Sequence, residues 1–174
     1  MSNIFIKKAT LSDVEKLQAI SKQTFYEAFA TVNTEENMLK YLEESFSVEK
    51  LTTELSDTNS EFYFASLSHT IIGYLKLNTD SSQTDIKDEN ALEIERIYVL
   101  QEFLGKKVGQ LLYQKATEVA KEKKAHYVWL GVWEENARAI NFYRKNGFAK
   151  FDNHIFMLGD DKQRDILMRL KLKD

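Results

Sequence analysis

The most constraining feature of this sequence is a strand–helix–strand unit in its second half. Residues 91–100 and 126–132 are apolar, β-branched and aromatic runs that predict two strands. Between them, residues 106–122 carry apolar side chains at helical spacing. A helix that joins two strands of one sheet in this way implies a right-handed crossover between parallel strands. The unit therefore predicts an α/β fold with at least one parallel strand pair.

The rest of the chain predicts antiparallel strands and further helices. Residues 3–8 predict an opening strand, and three amphipathic helices follow, the first with Ser12 and Glu15 spaced as a capping box. Two strand-like runs then flank the tripeptide SHT, which is too short for a crossover. We therefore predict a single domain over residues 1–174, of mixed α/β (α+β) class. Its core would be a mixed, mostly antiparallel twisted sheet of about seven strands with helices on both faces.

Three local signals place the ends of elements. Thr34 is the expected N-cap of the second helix. Residues 79–90 are polar and acidic, and we expect them to form an exposed, mobile loop. Gly147 is expected to end the last helix in a left-handed conformation, with Phe148 packing back on the final turn.

Composition excludes several classes of function. The chain has 24 basic and 27 acidic residues, a balance that gives no general field for nucleic acid. It has no cysteine, which excludes a disulfide scaffold, a thiolate zinc site and a cysteine nucleophile. Its three histidines lack ligand spacing, so we expect no metal. Without a signal-like segment or a membrane-length apolar run, we expect a cytoplasmic protein with no membrane partner.

A basic, glycine-containing turn lies between the predicted strand and helix of the crossover. It holds Gly105, Lys106, Lys107 and Gly109. A helix N-terminus exposes unpaired N–H groups and about half a positive charge, and small residues before it let an anion approach. The spacing G-x-x-x-G matches neither the Rossmann fingerprint nor a P-loop. On its own, this turn is as consistent with incidental lysines in solvent as with a phosphate site.

A second motif, WEENARAINFYRKNGF at residues 133–148, identifies the ligand class. With the turn, it resembles the GCN5-related N-acetyltransferase (GNAT) superfamily, and the resemblance extends over residues 3–172. The family's N-x-x-A-x-x-F-Y-x-x-x-G-F pattern is matched by Asn136, Ala139, Phe142, Tyr143, Gly147 and Phe148. The segments NTEENMLKYLEESF, LEIERIYV, WLGVWEENARAINFY and HIFMLGDDKQRDILM further resemble the bacillar Pai-type spermidine/spermine N-acetyltransferases.

The resemblance implies the GNAT fold, acetyl-CoA as cosubstrate and direct attack by an amine in a ternary complex. It implies that strand residues 97–99 pair with the pantetheine arm and that the turn at 104–109 takes the pyrophosphate. The N–H of Val99 or a neighbour would polarise the acetyl carbonyl. The implied cofactor-binding residues are Ile97, Tyr98, Val99, Leu104, Gly105, Lys106, Lys107, Val108, Gly109, Gln110, Asn136 and Tyr143.

The turn departs from the family's usual Q/R-x-x-G-x-G/A pattern. Leu104 stands in the Gln/Arg place and Lys107 in the first glycine place, so that only Gly109 fits. A side chain at position 107 hinders close approach of a phosphate to the backbone. We expect either a shift of the contact towards Gly105 or electrostatic compensation by the lysine.

Two side chains of the second motif have implied roles. Tyr143 is the expected general acid, since a phenol with a pKa near 10 stays protonated at neutral pH. The alternative for Tyr143 is a core aromatic on an amphipathic helix. Asn136 lies seven residues earlier and shares a helix face with it, so it is expected to bond the pantetheine arm, to cap the helix, or both.

Glu95 is the expected proton acceptor, acting on the amine through a water. Glu93 and Glu95 are predicted to lie on one face of their strand and Arg96 on the other. Either carboxylate has an alternative role, in an ion pair with a nearby cation or in binding a cationic acceptor.

A polyamine such as spermidine or spermine is the expected acceptor. Acidic residues around the second helix would attract a cation, namely Glu27, Glu35, Glu36, Glu43 and Glu44. Aromatic residues would line a channel for methylene groups, namely Phe25, Tyr26, Phe29 and Tyr41. The alternatives are a solvated helix face and core packing. Two alternative functions are acetylation of another amine (a protein N-terminus, a lysine or an antibiotic) and non-catalytic regulation by a protein that binds acetyl-CoA. The chain could act as a monomer or as a homodimer.

Overall fold

The computed structural model describes residues 3–172, and within them seven strands form one sheet. The strands are β1 (Ile4–Lys8), β2 (Ser60–Leu67), β3 (Thr70–Thr79), β4 (Ala91–Val99), β5 (Tyr127–Trp133), β6 (Ala149–Leu158) and β7 (Asp161–Lys171). Their order in the sheet is β1-β2-β3-β4-β5-β7-β6. Only β4 and β5 pair in parallel; the other neighbouring pairs are antiparallel. The predicted mixed, mostly antiparallel sheet is confirmed.

Helices cover both faces of the sheet. They are α1 (Val14–Phe29), α2 (Glu35–Ser45), α3 (Val48–Ser56), α4 (Val108–Glu122) and α5 (Ala137–Lys145). On β3, Lys76 contacts Glu54 of α3, whereas a Cβ at Gly73 would lie 3.4 Å from Leu112 of α4. Positions 73 and 76 of a strand point to opposite faces, so α3 and α4 lie on opposite sides. Within residues 3–172, no helix is long and apolar enough to cross a membrane.

The helix caps confirm one sequence prediction and correct another. The Thr34 side chain accepts a hydrogen bond from Asn37 N at 3.1 Å, as expected of an N-cap. The first helix, however, is not capped by Ser12 and Glu15. One 3-10 turn precedes α1, so the reciprocal contact falls two residues earlier, where Thr10 N donates to Asp13 Oδ2 at 2.9 Å.

The segment at residues 79–90 is largely exposed, as its polarity predicted, but it is anchored to the sheet at several side chains. Gln83 is 1% exposed, and its side-chain oxygen accepts a hydrogen bond from Trp129 Nε1 on β5 at 2.6 Å. Thr84 donates to the carboxylate of Glu93, and Tyr127 donates to Asp88. Hydrogen bonds from these residues therefore anchor the segment to β4 and β5.

The position of the site follows from how β4 leaves β5. The two strands pair only from Ala91–Tyr127 to Ile94–Leu130, and they diverge beyond that point. On its other side, β4 contains a β-bulge: Lys76 pairs with Arg96 but Leu77 pairs with Ile94, so Glu95 is the extra residue. A wedge-shaped gap therefore opens beside the last residues of β4.

The bulge also changes which side chains of β4 lie on the same face of the sheet. Asn78 Nδ2 donates to both Glu93 and Glu95, so these two carboxylates share a face as predicted. The Arg96 guanidinium nevertheless reaches Glu95 and Glu54 on that same side of the sheet. The prediction that Arg96 lies on the opposite face was wrong, because an inserted residue shifts the alternation by one position.

Gly147 ends α5 in the predicted left-handed conformation, with φ of +97°. Phe148 N donates to Tyr143 O at 3.0 Å, and the buried Phe148 ring lies 5.5 Å from the Tyr143 ring. This turn therefore fixes the end of the helix that carries Tyr143.

Substitution of Gly147 by alanine should lower the free energy of unfolding by about 1–2 kcal/mol, since an L-residue is strained at positive φ. Its Cβ would also lie 3.1 Å from Leu170 Cδ1. Urea titration followed by circular dichroism measures the change. Gly109→Ala is the matched control, because a Cβ there meets nothing within 4 Å. Equal losses in the two variants would contradict the special role of Gly147.

Candidate active site

A cavity of about 1470 Å³ occupies the gap between β4 and β5. One part of its wall comes from the end of β4, the turn before α4 and the start of α5. The opposite part comes from α1, α2, the segment at 79–90, and strands β6 and β7. Two different sets of elements therefore contribute to the wall of one space, which is large enough for two reactants.

The turn before α4 presents an open helix N-terminus to the cavity. Gly105 has φ of +80° and Lys107, which immediately precedes α4, has φ of +67°. Lys107 thus adopts a backbone conformation that usually requires glycine. Gly109 faces open space, since a Cβ there would meet nothing within 4 Å. The backbone geometry suits an anion even though Lys107 replaces the glycine of the family pattern.

Ten of the twelve sequence-predicted cofactor residues line this cavity. They are Ile97, Tyr98, Val99, Leu104, Gly105, Lys107, Gly109, Gln110, Asn136 and Tyr143. The side chain of Val108 is instead packed in the core, with 1% exposure. The exposed Lys106 lies over the Phe103 ring, with Nζ 5.5 Å from the ring centre. These two residues are brought to the turn, but their side chains do not line the cavity wall.

Tyr143 is both a core aromatic and a wall residue of the cavity. Its side chain is 5% exposed, and its ring contacts those of Phe142 and Phe148. Burial, with a smaller contribution from Tyr113, raises the pKa of Tyr143 well above its usual value. The phenol therefore keeps its proton at any physiological pH, as a proton donor requires.

Asn136 lies where it can perform both of its predicted roles, capping α5 and contacting a ligand in the cavity. Its side-chain oxygen accepts a hydrogen bond from Ala139 N at 3.1 Å and so caps α5. The residue lines the cavity as well, and its amide N–H groups remain available to a ligand.

Glu95 is held by two cations. Its Oε1 lies 2.7 Å from Lys76 Nζ, and its Oε2 lies 3.1 Å from Arg96 Nη2. Burial works to raise the pKa of this carboxyl, but Arg96 and Lys76 outweigh it and lower the pKa to about 2. Glu95 is thus ionised throughout the physiological range, and the ion pair that sequence reasoning left as an alternative is present.

Glu93 has the opposite electrostatic character. It is 2% exposed and accepts hydrogen bonds from Asn78 Nδ2 at 3.0 Å and from Thr84 N at 2.8 Å. Burial is the main cause that raises its pKa, and these hydrogen bonds only partly offset it. Two neighbouring carboxylates therefore have pKa values displaced in opposite directions.

The wall opposite the turn is aromatic. Tyr41 stacks on Phe25 with ring centres 4.4 Å apart and meets Phe156 edge-on at 5.8 Å. Phe29 lies 5.5 Å from Trp133. Phe25, Phe29 and Tyr41 were predicted to line an acceptor channel, and they do line the cavity. Tyr26 does not; it is 39% exposed and its hydroxyl donates to Glu35.

Two acidic residues of the cavity wall, Asp85 and Asp165, were not among the site residues predicted from the sequence. His154 Nδ1 lies 3.0 Å from Asp85, and its Nε2 lies 3.7 Å from Asp165. Burial raises the pKa of Asp165. His154 and Asp165 are opposite each other in the β6–β7 hairpin, within the segment HIFMLGDDKQRDILM, so hairpin register could have connected them. Asp85 lies 69 residues before His154, and no local spacing connects it to them.

The acidic entrance predicted around α2 is only partly present. Glu27 lines the cavity and accepts a hydrogen bond from Gln101 N at 2.8 Å. The remaining predicted acids are exposed and do not line the cavity; they are Glu35, Glu36, Glu43 and Glu44. That helix surface is therefore the solvated face that was the alternative interpretation.

Comparison with known proteins identifies this arrangement. The family model of the acetyltransferase (GNAT) family matches residues 17–148. An uncharacterized N-acetyltransferase from the pepI 3′ region of Lactobacillus delbrueckii subsp. lactis is 39% identical over 172 residues, covering 99% of each chain. The spermidine N(1)-acetyltransferase of Thermoplasma acidophilum is 29% identical over 154 residues, covering 86% of this chain and 91% of its own.

A solved structure agrees with the geometry. The PaiA N-acetyltransferase of Thermoplasma acidophilum in complex with coenzyme A superposes with a TM-score of 0.80 at 28% identity, covering 98% of this chain and 99% of that one. A cavity between diverging strands, a glycine-containing helix N-terminus and a buried tyrosine fit the coenzyme that this neighbour binds. The chain therefore belongs to the GNAT family, and it is an acetyl-CoA-dependent N-acetyltransferase.

Proposed function

We propose that this enzyme moves the acetyl group of acetyl-CoA to a primary amine of a polyamine such as spermidine or spermine. The observation that carries the proposal is a single cavity with an anion-binding turn on one side and an aromatic, acidic wall on the other. The name of the Thermoplasma relative, a spermidine N(1)-acetyltransferase, supports the same acceptor.

The donor side holds the coenzyme through backbone groups. Beyond Ile94, the edge of β4 that faces the gap has no strand partner. Backbone groups of residues 97–99 are thus free to pair with the pantetheine amides as an added strand would. The N–H of Val99 or its neighbour polarises the acetyl carbonyl. Acetyl-CoA supplies the acetyl group as a thioester.

The turn at 104–109 binds the pyrophosphate. Gly105, Lys107 and Gly109 present the backbone, Val108 and Gln110 add N–H groups at the helix start, and Lys106 adds positive charge. Leu104 is 44% exposed and contributes apolar contact in place of the polar residue usual in the family. Asn136 donates its side-chain amide to the pantetheine arm.

Proton transfer uses Tyr143 and Glu95 on either side of the reacting atoms. An alkylammonium group has a pKa of about 10.4, so it must lose a proton before it attacks. The ionised Glu95 accepts that proton through a water. Its low pKa makes it a weak base, so its main effect is to stabilise the positive charge that develops on the water. Glu93 is the alternative acceptor because its pKa is raised. As the C–N bond forms and the C–S bond breaks, Tyr143 donates a proton to the departing thiolate, and the second proton that the nitrogen loses restores the Tyr143 phenol.

The acceptor side suits a flexible polycation. Methylene groups bury apolar area against Phe29, Tyr41 and Trp133, and a cation near an aromatic face gains about 0.5–2 kcal/mol. A second ammonium group would meet Asp165 and Asp85 at the end of the cavity. Acceptors with a single charge would gain no contact there, and the two carboxylates would keep His154 as their partner.

A non-catalytic acetyl-CoA-binding regulator is the second candidate from sequence, and only Lys107 favoured it. Lys107 has φ of +67°, a conformation that suits glycine, so the backbone of the turn remains able to bind an anion despite the side chain. A protein N-terminus, a lysine or an antibiotic amine are tested in the same assay as polyamines.

We expect acetyl-CoA turnover with spermidine or spermine at a kcat/KM about tenfold or more above that for a monoamine of similar length. The reason is that a second charge contributes roughly 1.4 kcal/mol when it finds a carboxylate. The assay measures CoA thiol release over a panel of polyamines, monoamines, lysine peptides and aminoglycosides. Turnover confined to peptides or antibiotics, or none over the whole panel, would contradict the polyamine proposal.

Asp165→Asn is the companion variant, and it should raise KM for spermidine about tenfold with little change for the monoamine. Glu43→Gln is its matched control, since Glu43 is an exposed acid outside the cavity. An equal effect of both variants would mean that general charge, and not the cavity end, attracts the acceptor.

Tyr143→Phe should lower kcat about 100-fold, since it removes only the proton donor. CoA affinity, measured by calorimetry, should stay within about twofold, because the ring still fills its place against Phe148. The matched control is Tyr113→Phe, which alters a neighbouring buried tyrosine outside the cavity. Unchanged turnover in Tyr143→Phe would remove Tyr143 as the acid.

Lys107→Gly should weaken CoA binding about three- to tenfold at low ionic strength, because it removes a positive charge at the helix N-terminus. The difference should disappear at about 0.5 M salt. The free energy of unfolding should not fall, since glycine accepts positive φ. Lys106→Gly serves as the control and should have the smaller effect on binding. Tighter CoA binding by Lys107→Gly would mean that the lysine obstructs the phosphate.

A further inference from the structure

Four charged side chains form a buried cluster beneath the acceptor side of the cavity. This charge quartet consists of Glu54 on α3, Lys76 on β3, and Glu95 and Arg96 on β4. The Glu54 carboxylate lies 2.8 Å from Lys76 Nζ and 3.1 Å from Arg96 Nη1. With the two contacts of Glu95 described above, each cation touches both carboxylates. The four side chains are only 7–19% exposed, and their charges balance.

The β-bulge is what makes the quartet geometrically possible. In a regular strand, Glu95 and Arg96 would point to opposite faces. The extra residue at Glu95 places both on the side of α3, so one guanidinium bridges a carboxylate on its own strand and another on a helix. The Phe46 ring, 5.2 Å from the Arg96 guanidinium carbon, packs against it as a cation–π contact.

The two oxygens of Glu95 are held differently. Oε1 accepts a hydrogen bond from Asn78 Nδ2 at 2.8 Å and lies 2.7 Å from Lys76 Nζ, whereas Oε2 lies 3.1 Å from Arg96 Nη2 in an ion-pair contact. An ionised carboxylate has about four lone-pair sites, so among the described residues Oε2 keeps more capacity to accept a hydrogen bond. Glu95 also lines the cavity. The Arg96 guanidinium therefore restrains the oxygen that a substrate or water can use.

We propose that Arg96 is a positioning residue for acetyl transfer, which holds Glu95 so that its Oε2 atom faces the acceptor amine. The inference rests on the proposed function, because it assumes that the amine's proton leaves by way of Glu95. A lysine at this position would retain the charge but lose the rigid, two-pronged guanidinium that touches Glu54 and Glu95 together.

The charges around Glu95 and Arg96 come from five elements. The titratable groups are Glu54 on α3, Tyr41 on α2, Tyr74 and Lys76 on β3, Glu93 and Tyr98 on β4, and Asp165 on β7. Burial raises the pKa of Glu95, and the charge of Arg96 makes the largest contribution in the opposite direction. Removal of Arg96 leaves Lys76 as the only cation of the quartet, so the pKa of Glu95 must rise.

Three variants separate positioning from charge. Arg96→Met should lower kcat about 100-fold, the size expected when a reacting group is misplaced by about 1 Å. It should also produce a new acid limb in the pH profile of kcat/KM between about pH 4 and 7, near the usual range of a carboxyl. Arg96→Lys should lower kcat roughly tenfold without that limb. Arg144→Met, which removes an exposed arginine of α5, should behave as the wild type.

The protonation state of Glu95 can also be measured directly, without an activity assay. Carbon-13 NMR of labelled glutamate carboxyls, assigned with Glu95→Gln, should detect no titration of Glu95 between about pH 4 and 8 in the wild type. A titration in that range should appear in Arg96→Met. If the wild type acetylates no amine, the proposed function fails, and this titration still decides whether Arg96 controls Glu95.

Two results would overturn the inference. One is wild-type kcat in Arg96→Lys, which folds with the charge in place and tests the geometry alone. The other is a wild-type pH profile and an unchanged Glu95 titration in a folded Arg96→Met. A loss of thermal stability without either functional change would assign Arg96 a structural role only.

Discussion

The divergence of β4 from β5 after four paired residues is the constraint on which the rest of this structure depends. Pairing ends at Ile94 and Leu130, and the bulge at Glu95 follows at once. The end of β4 consequently has a free edge towards the gap, and the turn before α4 lies at its tip. Continued pairing would fill the gap and remove both the donor surface and the acceptor surface. A local failure of sheet regularity thus creates the space in which two reactants meet.

Protonation states are arranged around this space by burial and by charge. Burial raises the pKa of Tyr143, so the phenol is protonated, and the two cations of the quartet lower the pKa of Glu95 to about 2. In the proposed mechanism the phenol can donate a proton and the carboxylate can accept one, although both displaced pKa values make these groups a weak acid and a weak base at neutral pH. The balanced charge of the quartet lets Glu95 remain buried and anionic without an unpaired charge.

Sequence patterns predicted the sheet and the crossover, because periodicity is local, and the family resemblance carried by the Asn136–Phe148 motif selected residues most of which line the cavity. They could not predict the side of the sheet on which Arg96 lies, since a bulge adds one residue without any compositional signal. Residues 79–90 are largely exposed, as predicted, but polarity alone could not indicate that Gln83 and Thr84 bond to Trp129 and Glu93. The acidic residues of the cavity combine the β6–β7 hairpin with a distant segment, and only the folded chain brings Asp85 to His154.

The most direct test of this account is a crystal structure of the enzyme with coenzyme A and spermine bound together. The account predicts pantetheine beside residues 97–99, the pyrophosphate at 104–109, and the reactive amine between the Tyr143 hydroxyl and Glu95. The second ammonium group would lie near Asp165. A pyrophosphate bound away from the turn, or a polyamine outside the gap between β4 and β5, would contradict it.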